Sequence, residues 1–422
     1  MADGHGSIAD EARARAWATP LDAFHVADIE HFVTDTHWPW FERLRAEDPV
    51  HYTPKSEFGP YWSVTKFNDI IAVEGDHETF SSDAALGGIS IFDPPEDARD
   101  RGRPSFISLD PPVHDAQRKV VAPMFSTASM AIMAPLIRER AARILDDLPV
   151  GETFDFVDRV SVELTSQMLA TLFDFPFEHR RMLPRASDLI LSGPEPGAGP
   201  EEEARRQTES FATFSQFIAL WNERKGAPAR NDLISMLANA EATASDDPME
   251  YIGNIVLLTV AGSDTTRHSI SGALLALNRD PDAYRRLREN PALLETAVPE
   301  IVRWQSPVAH MRRTATADAT IGGKRIAKGD KVVMWYVSGN RDESVIDDAD
   351  AFVIDRPRPR QHVAFGFGVH RCVGNRLAEM QLRIVWEEML KRFRMIEIVG
   401  DIRRLRSNFV KGYETMPVRI VA

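Results

Sequence analysis

Apolar residues in the second half of the chain recur at helical spacing, and proline and glycine mark where each run stops. The longest run is DPMEYIGNIVLLTVAGSDTTRHSISGALLALNRDP. Its apolar side chains surround the axis instead of forming one stripe, which predicts a buried central helix from about Pro248 to Asn278. Pro281 prevents its continuation. PDAYRRLREN and PALLETAVPEIVRWQ each open on proline and predict two shorter helices, the second kinked or started late by Pro299. ATIGGKRIAKGDKVVMWYV reads as strands around a Gly-Gly hairpin turn. From Asn375 to Phe393 a further helix carries Leu377, Met380 and Ile384 on one face and Leu382, Val385, Met389 and Phe393 on another, so it is buried on most sides. Residues 93–104, DPPEDARDRGRP, and 192–203, SGPEPGAGPEEE, are rich in Pro, Gly and charge and read as mobile flaps that gate access to a site. Neither stretch separates halves of different composition. The expectation is one domain over 1–422, with about 1–20 a polar extension, in an α+β, mainly α, fold.

Composition narrows the function. An apolar share of 43% supports a large core, and a net charge of −13 excludes the basic surface of a nucleic-acid binder. A single cysteine excludes an internal disulfide and a protein-bound iron–sulfur cluster, which takes about four cysteines. MADGHGSIADEARARAWATP has no signal-peptide apolar core. IVLLTVAG falls short of the roughly 18 apolar residues of a membrane span. The reading is a soluble, cytoplasmic protein.

The lone cysteine, Cys372, stands in HVAFGFGVHRCVGNRLAEMQ, among Gly366, Gly368 and Gly374 and at the mouth of the last helix. A helix N-terminus favours thiolate over thiol, and glycines let backbone N–H groups turn toward the sulfur. Three uses fit these residues: a buried structural thiol, a nucleophile with His370 as base, and an axial ligand to haem iron. The wider pattern, Phe365-x-x-Gly368-x-His370-x-Cys372-x-Gly374, resembles the haem-binding signature of the cytochrome P-450 monooxygenases at every position.

Three further segments resemble that family, in its order. AGSDTT, with Ala261, Gly262, Asp264, Thr265 and Thr266, is similar to its oxygen-binding motif. There glycine lets the helix pass close to the haem, a threonine hydroxyl bonds dioxygen and a carboxylate relays protons. The plainer alternative is a pair of threonines bonding back to helix carbonyls. Glu300 and Arg303 are placed to pair on a helix. The resemblance implies that a later arginine joins them, Arg356, with Arg358 the alternative because the spacing to Phe365 is one residue longer than usual. DPPVHDAQR supplies His114 and Arg118, which with Arg313 and His370 match the positions that hold the haem propionates.

The resemblance implies a triangular, mainly helical fold with haem b between the central and cysteine-led helices. It also implies monooxygenation with O2, Cys372 on the iron, and Asp264 and Thr265 managing protons. Electrons would come from NAD(P)H through an external ferredoxin reductase and ferredoxin. Arg356, Arg358, Arg360, Arg371 and Arg376 form a local basic stretch for docking, with Arg371 foremost. EIVRWQSPVAHMRRTATADATIGGKRIAKGDKVVMWYVSGNRDE and FGFGVHRCVGNRLAE are similar to bacterial terminal alkane and fatty-acid hydroxylases. By family position Leu258, Ala261, Ala309, Met311, Phe409 and Val410 approach the substrate, and Leu86, Ile89, Ile91, Phe92, Leu189 and Ile190 line an entrance. The same apolar set suits a terpene or steroid. The acid–alcohol pair counts against a haem-thiolate sensor, an electron carrier or a peroxygenase. Without haem, a Cys372–His370 hydrolase is the fallback.

Overall fold

The computed structural model describes residues 3–93, 105–191, 199–228 and 230–421. Most of the flap readings at 93–104 and 192–203 therefore lie outside the described residues. The exceptions are Asp93 and the end of the second stretch, where Pro200 opens the helix Pro200–Arg224 instead of closing a loop.

The central helix spans Pro248–Arg279, 32 residues, and is about 48 Å long at 1.5 Å per residue. It packs against Glu163–Phe173, Met182–Leu191, Leu294–Gln305 and the cysteine-led helix Asn375–Arg392. Ile255, Leu258, Ile270, Leu274 and Leu277 are buried around its circumference, as expected of a helix with no polar face. Asp280 accepts a hydrogen bond from Ala283 N and, with Pro281, starts the next helix, Pro281–Glu289. Pro299 lies inside its helix, whose start is displaced: Pro291–Leu293 form a 3-10 turn and the α-helix begins at Leu294.

Beside this helical body lies a five-stranded sheet in the order Val50–Thr53, Tyr61–Val64, Lys331–Trp335, His310–Ala315, Phe80–Ser81. Met311 pairs with Met334 and Arg313 with Val332. Ala319–Ile321 and Lys324–Ile326 form the hairpin, with φ of +53° and +78° at Gly322 and Gly323. No single helix among the described residues is long and apolar enough to cross a membrane.

Irregular chain runs from Asn340 to Ala364, and one buried ion cluster holds it. Arg303 Nε and Nη2 donate to Glu300 Oε2 and Oε1 at 2.7 and 2.8 Å. Arg356 Nε donates to Oε2 at 2.9 Å, so Arg356 is the third member and Arg358 is exposed. Arg303 also donates to the carbonyls of Asn340, Ala349 and Ala351, and Arg356 to those of Asp347 and Asp348. Burial by itself would raise the Glu300 carboxyl, but the Arg303 and Arg356 bonds leave it below its ordinary value. Glu300→Ala strands two buried guanidinium groups, so unfolding free energy is expected to fall by about 3–5 kcal/mol in a urea titration. A change under about 1 kcal/mol would refute the role.

Candidate active site

The loop into Cys372 is closed by Cys372 N donating to Phe365 O at 2.8 Å. Gly366 and Gly368 have φ of +66° and +63°, which only glycine adopts readily. A 3-10 turn, Gly368–His370, precedes the cysteine, and the helix follows at Asn375. The sulfur is exposed only toward an interior cavity; it lies deep below the protein surface. Burial pushes the thiol pKa up, opposed by the Gly374 N–H and by Arg118 and Arg371. The Gly374 N–H acts in the direction the helix end and glycines predict, against the larger opposing effect of burial. A coordinating metal deprotonates a thiol outright.

Across the cavity stands the central helix. Ala261, Gly262, Thr265, Thr266 and Ser269 line it, with Leu257 and Leu258 a turn earlier. Gly262 lines the cavity, and a Cβ there would also meet Leu169 Cδ2 at 2.7 Å, so it permits a close approach to the neighbouring helix as well. Thr265 Oγ1 donates to Ala261 O at 2.8 Å, the back-bonding geometry, and keeps its acceptor lone pairs on the cavity side of the helix.

Asp264 does not line the cavity. It is fully buried on another side of the helix, where Oδ2 accepts from Ser187 Oγ at 2.8 Å and Oδ1 lies 2.9 Å from Arg267 Nη2. Arg267 is shared with Asp188. Burial raises the Asp264 carboxyl to about 6 in spite of Arg267, with Asp188 adding to the rise.

The four expected propionate donors converge at the cavity: His114, Arg118, Arg313 and His370 all line it. The His114 and His370 rings meet edge to face at 4.4 Å between centroids. Nε2 of His114 and both ring nitrogens of His370 are buried without a protein partner. Burial holds His370 down at about 2, and Arg313 lowers it further, so its free N–H is a neutral donor. Orphaned donors and two guanidinium groups on one wall, with a sulfur facing the helix opposite, fit an acidic planar cofactor such as haem.

Several substrate assignments change. Leu258, Ala261 and Met311 line the cavity. Ala309 does not: Met311 and Arg313 alternate onto the cavity side of the strand His310–Ala315, while Ala309, just before the strand begins, is buried in the apolar cluster that includes Phe24, Ile91 and Trp335. Phe409 and Val410 back Pro307–Ala309, with Phe409 O accepting from Ala309 N at 2.8 Å and Val410 bridged to Val308. Leu86, Ile89, Ile91 and Phe92 follow the strand's other face, where the Leu86 and Ile89 carbonyls bond Arg312 and Ile91 N bonds His310. Leu86 and Phe92 are exposed, and so is Ile190; Leu189 is packed in the interior, off the cavity. Phe106, Ile107, Met168, Leu169, Leu172 and Leu233 complete the apolar wall instead. Sequence reasoning missed these because each contacts the site only through tertiary packing. It also missed Arg267, three residues past Asp264, although that spacing is a pairing signal.

The protein-family model described as Cytochrome P450 matches residues 201–411. Linalool 8-monooxygenase of Pseudomonas putida is 42% identical over 389 residues, covering 90% of this chain and 95% of that protein. Among solved structures, cytochrome P450-153 from Novosphingobium aromaticivorans superposes with a TM-score of 0.87 at 42% identity, covering 96% of this chain and 100% of the other. CYP153D17 from Sphingomonas sp. PAMC 26605 gives 0.88 at 44%, with the same coverage. A likeness that spans the cysteine loop, the central helix and the cavity between them makes this chain a member of the cytochrome P450 family of monooxygenases.

Proposed function

We propose that this P450 hydroxylates the terminal carbon of a medium-chain alkane or fatty acid. The observation that carries the reading is the composition of the cavity wall. Among the described residues its only charged side chains are Arg118 and Arg313, at the end assigned to the propionates, and the rest of the wall is mostly Leu, Met, Val, Phe and Ile. Beyond a few neutral polar groups such as Thr266, Ser269 and Gln381, such a surface offers a substrate mainly apolar contact. A second reading, a terpene substrate, draws on the 42% identity to linalool 8-monooxygenase. With a surrogate ferredoxin system, dodecane is expected to give 1-dodecanol as the main product by gas chromatography. Internal alcohols, or turnover of linalool with dodecane inert, would reject the terminal alkane reading.

In this reading Cys372 would ligate the iron and His114, Arg118, Arg313 and His370 would hold the propionates of haem b. The bound haem-thiolate would supply the activation of O2. The chain's own part is to orient the substrate, exclude water and deliver protons. Leu257, Leu258, Met311 and Val308 present an apolar slot beside Thr265. Asp264 carries an exchangeable proton close to neutrality, and rotation of its side chain away from Ser187 and Arg267 would bring it to the Thr265 side of the helix. The protonated carboxyl is the donor, so turnover is expected to fall as pH rises through about 6. Asp264→Asn should slow turnover by about tenfold or more and erase that inflection, while Thr265→Ala should keep electron consumption but lower product per electron. An unchanged inflection in the asparagine variant would remove Asp264 from the pathway.

Electrons are assigned to an external ferredoxin, reduced by a ferredoxin reductase from NAD(P)H. Of the five arginines in the basic stretch, Arg356 is withdrawn into the Glu300 cluster and Arg360 is tied to Glu379 at 3.0 Å. Arg358, Arg371 and Arg376 are exposed, and Arg371 adjoins the cysteine. Charge reversal, Arg371→Glu, is expected to raise the KM for ferredoxin by about tenfold at low salt, with the gap closing as ionic strength rises. A KM within twofold of the parent would place docking elsewhere.

A further inference from the structure

A buried carboxylate seats the loop that delivers Cys372. Glu74, on the helix Phe67–Gly75, is 3% exposed. Its Oε1 accepts a short hydrogen bond from the Tyr336 hydroxyl. Its Oε2 lies 3.3 Å from Arg313 Nη2 and accepts from Phe367 N at 3.4 Å. A Cβ on Gly366 would sit 3.8 Å from both carboxylate oxygens, and one on Gly368 would collide with the Glu74 carbonyl. Helix, strand and signature loop thus meet on one side chain. Arg313 and Tyr336 both line the haem cavity, so Glu74 stands directly behind its wall.

Charge at this edge does not balance. Arg118 and Arg313 are the permanent positive charges of the donor set, and haem brings two propionates. Glu74 is a third carboxylate, and it claims part of Arg313. In a desolvated setting one uncompensated negative charge opposes the addition of an electron nearby. A neutral glutamine could meet the same hydrogen-bond geometry without that field, so the carboxylate does more than fill a packing position.

We propose that Glu74 is a positioning residue that fixes Arg313 and the Phe365–Gly368 loop and holds the haem reduction potential low. The proposal rests on the haem-thiolate reading and extends it to control of the first electron. That step adds one electron to ferric haem, from ferredoxin in turnover or from dithionite in a titration, with no covalent bond made or broken.

The test is a dithionite titration of the haem-loaded protein, followed by its visible spectrum, for the parent, Glu74→Gln and Glu74→Asp. Glu74→Gln is expected to keep the thiolate–carbon monoxide band and to shift the reduction equilibrium about tenfold toward ferrous, which is about 59 mV for one electron. Glu74→Asp, which keeps the charge, should stay within threefold of the parent. A Glu74→Gln midpoint within twofold of the parent, or displaced the other way, overturns the proposal. If Glu74→Gln does not hold haem, Tyr336→Phe carries the test. Losing the hydroxyl dipole leaves the carboxylate less compensated, so the equilibrium should move at least twofold toward ferric, and no shift or a ferrous shift overturns the proposal. Absence of the thiolate band in the parent would instead overturn the haem-thiolate reading on which it rests.

Discussion

Two guanidinium groups closing on one buried carboxylate hold a long stretch of the described chain, Asn340 to Ala364, that has neither helix nor strand. Glu300, Arg303 and Arg356 bind one another, and through their remaining N–H groups Arg303 and Arg356 take the carbonyls of Asn340, Asp347, Asp348, Ala349 and Ala351. Those carbonyls have no helix or strand to satisfy them. Asn340 continues the path, its Oδ1 accepting from Val363 N at 2.7 Å, two residues before the signature begins. The cysteine therefore sits at the end of a chain of polar contacts that starts at a buried charge. Apolar packing alone would not select one course for such a segment, because its backbone polar groups would be left unpaired.

Charge is sorted by position around the cavity. Arg118 and Arg313 occupy one edge, with Glu74 behind them. The wall opposite the arginines is mostly apolar, and its polar groups, Thr265, Thr266 and Ser269, are uncharged. Asp264, Arg267 and Asp188 lie on another side of the central helix, out of the cavity. Adjacent residues on a helix differ by about 100° in direction, so a single Asp-Thr step separates a buried proton store from the reacting face. This sorting lets an apolar substrate and a proton donor share one helix without the substrate site having to solvate a carboxylate.

Local sequence carried much of this. Loss of a polar face marked the central helix; proline and glycine marked the helix starts and the hairpin. The spacing of residues around Cys372, and of Glu300 and Arg303, placed the ligand and the ion cluster. Glu74 left only a faint trace, an acid falling in register with Phe67 and Ile70 on an otherwise apolar helix face. Nothing local pairs it with Arg313, which is 239 positions away. Ala309 and Met311 look alike as apolar residues two positions apart, and only the fold decides that Met311, inside the strand, meets the cavity while Ala309, before its start, is held against Phe409 in the layer behind.

By itself, then, the sequence determined the element types, the chemistry of the cysteine loop and the family, because these depend on periodicity and on side chains a few positions apart. Tertiary structure alone decided which apolar residues form the cavity wall, which way Asp264 faces, and that Glu74 stands behind Arg313. Each of these is set by desolvation or by contact between segments far apart in the chain, and neither quantity exists until the chain has folded.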